Sequence, residues 1–330
     1  MYAILGDELI HFRFDDKQAE LQVGLLFRDW PRLFEQFPSA GYLIPGRRPL
    51  TLDILKVDRL ELVPESSRSV FADHNSQTTV FQSESFWYIC FGLDAAARIP
   101  LQPDVDTDTP IRVQVTHMSL STGRLEDIVF SSLAPALRRR GLFMIHAFAI
   151  EKDEGAILLV GESGSGKTTT GLSLISHGWR YLANDVLLLR ENGGIVSAMP
   201  TPGGIGLNAH SLQLLPGLGS TASFKHTTAK YYYPATELVA GWGRGAPVRR
   251  ILFTQVRPDG ETGLEPTNHS VTLARLMEAS VDRWDTASLD DHLHTLALLS
   301  RQAEGYELSV GRDLERLPSL LSRSPGSGPI

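Results

Sequence analysis

The apolar positions fall into two regimes along the chain. Over roughly the first hundred residues they alternate with polar neighbours. Ile10, Phe12 and Phe14 do so, as do Leu21, Val23 and Leu25, then Leu60-Glu61-Leu62-Val63 and Thr78-Thr79-Val80-Phe81. A period of two places every second side chain on one face, so short half-buried strands are predicted throughout this region. A proline- and aspartate-rich stretch between Ile99 and Pro110 is the expected domain edge. From Arg124 to Arg140 the spacing changes to three and four at Leu125, Ile128, Val129, Leu133 and Leu137, which predicts an amphipathic helix stopped by Gly141. Arg138, Arg139 and Arg140 stand where a helix C-terminus attracts positive charge, so they are read as structural rather than phosphate-binding.

The second regime is one of continuous apolar runs. Phe143–Ile150 and Ala156–Val160 are predicted to be buried strands joined by the charged turn Glu151-Lys152-Asp153-Glu154-Gly155. A glycine-rich segment follows, then a helix from about Lys167 to His177, then a strand region over Tyr181–Arg190. Strand, glycine loop, helix and strand in that order imply an α/β core. Further on, Ile251-Leu252-Phe253 reads as a strand, Val271–Ala279 and Asp290–Arg301 as helices, and Ser322–Ile330 as a frayed end. The expected organisation is a β-rich N-terminal region over residues 1–110 and an α/β domain over residues 111–330.

Composition narrows the function classes. Of 330 residues, 42% are hydrophobic and 21% charged, as in ordinary folded proteins. A net charge of −7 gives no electrostatic reason to expect nucleic acid as a partner. The first residues, Met1 to Glu8, are acidic where a signal peptide would be basic, and no apolar run reaches the roughly 18 residues of a membrane span. A cytoplasmic location without membrane contact is expected. The single cysteine, Cys90 in Phe86-Trp87-Tyr88-Ile89-Cys90-Phe91, reads as a buried strand thiol.

The chemistry is concentrated after Val160. Gly161, Glu162, Ser163, Gly164, Ser165, Gly166, Lys167 and Thr168 satisfy G-x-x-x-x-G-K-[ST], a phosphate-binding P-loop, with Thr169 next. Phosphates carry concentrated negative charge, and successive backbone N–H groups surround them only where side chains are out of the way. The helix that follows aims its N-terminal amides at the same place. Lys167 is the expected contact to the β- and γ-phosphates, and the Thr168 hydroxyl a ligand of Mg²⁺. A carboxylate is needed as well, for metal and proton, and Asp185 in an otherwise apolar run is the candidate. Its other reading is a turn between two strands. Asn184 and Asp185 face opposite ways in a regular strand, so both reach one site only if the strand bends or ends there. His146, one strand before the loop strand, is either a core histidine or a site residue. Lys230 is read as solvated surface in preference to a phosphate contact, and Pro202-Gly203-Gly204-Ile205-Gly206 as a turn in preference to a close glycine approach to a ligand.

Ile145-His146-Ala147, the loop Gly161–Thr168, and Gly178-Trp179-Arg180-Tyr181-Leu182-Ala183-Asn184-Asp185 together resemble the catalytic core of HPr kinase/phosphorylase, in order and in spacing. The likeness covers roughly Gly141 to Leu207. A weaker likeness runs through Lys230–Pro234, Pro247–Phe253 and Tyr306–Leu314, and is similar to divergent HPr-kinase-related proteins of peptide-modification systems, lasso-peptide kinases among them. The resemblance implies a P-loop core of the HPr kinase/phosphoenolpyruvate carboxykinase-like type. It implies catalytic roles for His146, Lys167 and Asp185, with ATP and Mg²⁺ as cofactors, Thr168 and Asp185 holding the metal. Two positions depart from the family: Asn184 stands where its first aspartate does, and Thr169 where a glutamate does. The expected activity is transfer of the ATP γ-phosphate to a hydroxyl, a serine of a peptide or small protein, with the β-rich region 1–110 the candidate for docking that acceptor and self-association left open. The alternatives are an ATP-binding regulatory module without transferase chemistry, or a small-metabolite phosphotransferase.

Overall fold

A computed structural model describes residues 1–27, 47–61, 63–73, 77–102, 109–121, 124–153, 155–208, 211–212, 224–225, 230–239, 241–280 and 284–323. The core of the expected linker, Pro103 to Asp108, lies outside them, as do Leu62, Glu154 and the tail from 324 onward. Contacts divide the chain into two units, Met1–Leu142 with Asp282–Leu289, and Phe143–Val281 with Asp290–Ile330.

The first unit is built on eight strands: β1 (Tyr2–Leu5), β2 (Glu8–Phe14), β3 (Leu50–Lys56), β4 (Arg68–Asp73), β5 (Thr78–Gln82), β6 (Phe86–Phe91), β7 (Ala95–Pro100) and β8 (Ile111–Val115). They form one sheet in the order β1-β2-β3-β8-β7-β6-β5-β4. The predicted strands are found at β2 and β5. Ile10 and Phe12, Leu52 and Ile54, Val113 and Val115 are all buried, and the helix Leu125–Arg139 lies against β7 and β8. The boundary expected at residue 110 therefore falls inside this unit. β8 is hydrogen-bonded between β3 and β7, so the chain stays with the first sheet up to Leu142.

Leu21, Val23 and Leu25 are not in a strand. Lys17–Leu26 is a helix, N-capped by Asp16, whose carboxylate accepts from the amides of Gln18 at 2.8 Å and Ala19 at 3.1 Å. Ala19 and Val23, four residues apart, are its buried pair, and Leu21 is 61% exposed. The apparent alternation mixed one core residue with an exposed one. Residues 60, 61 and 63 also lie outside any strand. Cys90 does lie in a strand, but on its half-buried side, where partial burial raises the thiol pKa. The three arginines take structural roles where their partners are described. Arg139 pairs with Asp285 at 2.7 Å, and Arg140 meets the buried Glu8 at 2.6 Å.

The second unit holds β9 (Leu142–Ile145), β10 (Ala147–Lys152), β11 (Gly155–Val160), β12 (Arg180–Ala183), β13 (Leu187–Asn192), β14 (Ile195–Met199), β15 (Gly204–Asn208), β16 (Phe224–Lys225), β17 (Lys230–Pro234), β18 (Ala246–Val256), β19 (Gly263–Pro266) and β20 (Glu304–Val310). Its main sheet runs β12-β10-β11-β18-β14-β13-β9, with β20 and β19 continuing beside β18. β11 is central, antiparallel to β10 and parallel to β18. It is buried on both faces: Ala156, Leu158 and Val160 join one core cluster, Ile157 and Leu159 the other. That is why its sequence is a solid apolar run rather than an alternation. The helices His269–Glu278 and Leu289–Gln302 contribute Leu276, Leu296 and Leu299 to the first cluster.

Two predicted strands are each broken in two. Phe143–Ile150 is interrupted at His146, so that β9 pairs beside β13 while β10 pairs with β11 and β12. Tyr181–Arg190 is interrupted at Asn184, Asp185 and Val186. The glycine stretch after Pro202, expected as a turn, enters β15 at Gly204. Among the described residues no helix is long and apolar enough to cross a membrane.

Candidate functional site

β11 ends at Val160, residues 161–166 form a loop, and the helix Lys167–Ser176 follows at once. Gly166 caps that helix with φ +95°, in the left-handed region that costs glycine nothing. Gly161 is needed for closeness. A Cβ there would lie 2.6 Å from Ser165 Oγ and 2.9 Å from Thr254 Oγ1. These two hydroxyls are themselves 2.8 Å apart and brace the loop against β18. Lys167 is buried, and its Nζ donates to the carbonyls of Gly161 at 2.6 Å and Glu162 at 3.0 Å. Glu162, Ser163 and Gly164 form the exposed crest of the loop.

The helix is pressed onto β10. A Cβ on Gly171 would lie 2.2 Å from Cε1 of Phe148, which is fully buried. On the same helix Thr169 Oγ1 donates to Ser211 Oγ at 2.9 Å.

The two strand breaks meet the start of this helix. Thr168 Oγ1 donates to Asn184 Oδ1 at 3.2 Å. The Asn184 amide donates to Asp185 Oδ2 at 3.0 Å and to the carbonyl of Gly204 at 3.1 Å. Asp185 Oδ1 lies 3.9 Å from His146 Nε2. Asp185 has φ +63°, an uncommon conformation for a residue with a side chain, and one that aspartate tolerates better than most. The turn points both neighbours the same way round, which a continuous strand forbids. Asn184 is buried, while the His146 and Asp185 side chains are 41% and 39% exposed. His146 is held in its gap by its own amide, which donates to the carbonyl of Ala279 at 2.8 Å.

His146, Thr168 and Asp185, separated along the chain, are thus gathered at the loop helix, with Lys167 inside the loop. Asn184, Thr254 and Gly204 complete the arrangement and were not among the expected site residues. Asn184 was signalled by standing beside Asp185 and at the position of the family's first aspartate, and Thr254 only by following a predicted strand. Lys230 lies in β17, and its side chain is outside the described residues.

No protein-family model matches the chain. It is 26% identical over 142 residues to an HPr kinase/phosphorylase of Bacillus licheniformis, covering 39% of this chain and 44% of that protein. To the HPr kinase/phosphorylase of Bacillus pumilus it is 30% identical over 127 residues, covering 35% of this chain and 39% of that protein. The chain therefore spans less than half the length of the curated relatives it matches. Among solved structures, the HPr(Ser) kinase/phosphatase from Coxiella burnetii aligns over 55% of this chain and 99% of that one, at 12% identity and a TM-score of 0.26.

Proposed function

We propose that this divergent HPr-kinase-like chain is an ATP-dependent phosphotransferase that moves the γ-phosphate to a hydroxyl, the acceptor being a serine of a peptide or small protein. The observation that carries this reading is the hydrogen-bonded run from Thr168 through Asn184 to Asp185, with His146 just beyond. It ties the first turn of the loop helix to a carboxylate that lies 3.9 Å from an imidazole.

In this reading the loop amides and the N-terminus of the helix bind the triphosphate tail. Lys167, now donating to the Gly161 and Glu162 carbonyls, would turn to β- and γ-phosphate oxygens. Mg²⁺ takes hard oxygen donors and is commonly held by one or two carboxylates together with phosphates, so the Thr168 hydroxyl and the Asp185 carboxylate fit it. Bound there, the ion would neutralise negative charge on the transferring phosphoryl group. Asp185 and His146 are exposed enough to meet the acceptor hydroxyl, with Asp185 able to take its proton. Phosphoryl transfer passes through a loose transition state, so holding both reactants in line matters more than early deprotonation. One carboxylate then suffices for the forward direction.

Incubation of the protein with γ-labelled ATP and fractionated lysate tests this, with Lys167→Ala beside the native chain. Label should pass to an acceptor only when Lys167 is present. Absence of any lysine-dependent acceptor label sinks the transferase reading. A second reading, an ATP-binding regulatory module, is favoured by Asn184, whose amide occupies one oxygen of Asp185. It predicts saturable ATP binding with no phosphate leaving the nucleotide.

A further inference from the structure

The outward face of the first unit's sheet carries an arrangement that phosphoryl transfer does not use. β7 and β8 pair so that Arg98 stands directly opposite Arg112. Direct partners in an antiparallel ladder project to the same face with Cβ atoms roughly 4.5–5.5 Å apart, and like charges placed so repel each other. The ladder supplies a carboxylate close by, since Asp53 on β3 is the other partner of Arg112. That carboxylate is already engaged by Arg13, through bonds of 2.5 and 2.8 Å. Among the described residues no ion pair joins Arg98 or Arg112 to a carboxylate. The Arg98 guanidinium lies over the Phe86 ring, 4.8 Å from its centroid, and among the described residues its buried Nε has no hydrogen-bond partner. A like-charged pair facing each other without a carboxylate between them is unfavourable, and an anion lodged between the two guanidinium groups would relieve it.

Both arginines line a pocket of about 200 Å³, with Tyr88 and Gln114 beside them and Glu61 at its rim. Gln114 Oε1 accepts the amide of Glu61 at 2.9 Å and so fixes that rim against the sheet. The charges select the ligand. Two guanidinium groups against one carboxylate leave a single surplus positive charge, which matches a carboxylate. A phosphate, at roughly −1.5 to −2, overshoots it. Size selects as well, because pockets for drug-sized molecules begin near roughly 300 Å³. An acidic side chain fits the smaller space. Around the pocket Leu55, Phe86, Tyr88 and Val63 are only half-buried. These would cover the flanking residues of a peptide, and a free small acid would leave them in water.

We propose that the Arg98–Arg112 pocket docks an acidic peptide, taking one of its side-chain carboxylates between the two guanidinium groups. The inference concerns the first unit alone and stands whether or not the second unit transfers phosphate. Fluorescence anisotropy on the full chain tests it, with a short fluorescein-labelled peptide that alternates glutamate with alanine. The peptide should bind saturably, and Arg112→Gln and Arg98→Gln should each weaken it by about tenfold or more, the usual effect of losing a charge-assisted hydrogen bond. Arg112 is exposed, so Arg112→Gln should fold normally even if Arg98→Gln does not, and thermal unfolding of both checks this. Four results would each overturn the proposal. They are equal binding of the glutamine counterpart, unchanged affinity in a folded Arg112→Gln, tighter binding of a phosphoserine counterpart, and displacement of the peptide by glutarate at concentrations equal to the unlabelled peptide.

Discussion

Asn184 decides how the candidate site is wired. Its amide oxygen receives the Thr168 hydroxyl while its nitrogen serves Asp185 and Gly204, so one buried side chain spans the helix and the turn. An aspartate keeps the shape and reverses half of the polarity. Asn184→Asp places a second carboxylate against Asp185 and removes the donor from the Gly204 carbonyl. Without ligand the variant should lose about 1–3 kcal/mol, the usual cost of leaving buried polar groups unsatisfied. Two carboxylates sharing a site hold a proton more tightly than either does unfolded. The loss should therefore be largest above that raised pKa and shrink as the pH falls. Thermal unfolding with and without a magnesium–ATP analogue checks the metal as well. If Thr168 and Asp185 hold Mg²⁺, the ion should restore most of the deficit.

At the scale of elements, the site depends on interruptions. β9 and β10 would be one strand by apolar content, and so would β12 and β13. Each pair is split because its halves join different stretches of the sheet; the gap at Asn184 presents its side chain to Thr168 on the loop helix, and the gap at His146 presents its ring to Asp185. The helix is placed with the same economy. Gly171 lets it approach Phe148 to within van der Waals contact, and Phe148 in turn packs edge-on against Tyr181, with centroids 5.6 Å apart. Alanine is the better helix former, yet Gly171→Ala should destabilise the protein by about 1–3 kcal/mol, because overpacking outweighs propensity. It should also weaken nucleotide binding by shifting the helix that begins at Lys167. Adding Phe148→Leu should recover part of both losses, and a double-mutant cycle of urea unfolding measures the coupling. Additive effects would show that the ring does not limit the approach.

Across the whole molecule, acid stability is expected to depend on how carboxylates are held. Asp313 is the clearest case. The Thr262 amide, donating at 2.6 Å, and then the Arg316 guanidinium, at 2.7 Å, hold its carboxyl down to about 2. A folded-state pKa below the unfolded value means stability that is complete above the ordinary value of 3.8 and is lost as pH falls toward about 2. Asp313→Asn should flatten the stability profile across that window and change little at neutral pH beyond a constant offset. Urea titrations on either side of the window make the comparison.

Much of this protein is legible in the residue order alone. Apolar periodicity marks the helix Leu125–Arg139, the alternating strands β2 and β5 and the solid strand β11, because solvent imposes those patterns locally. The glycine loop and Lys167 are contiguous, so a linear reading finds them. Period failed at Lys17–Leu26, where the Asp16 cap and the Ala19–Val23 pair outweigh a chance alternation through the exposed Leu21. It failed again at His146 and at Asn184–Asp185, where apolar content continues but strand partners change. Which strand lies beside which is a matter of contacts distant in sequence. Only the folded chain therefore decides that Asn184 bridges Thr168 to Asp185, that Thr254 braces the loop, and that Arg98 faces Arg112.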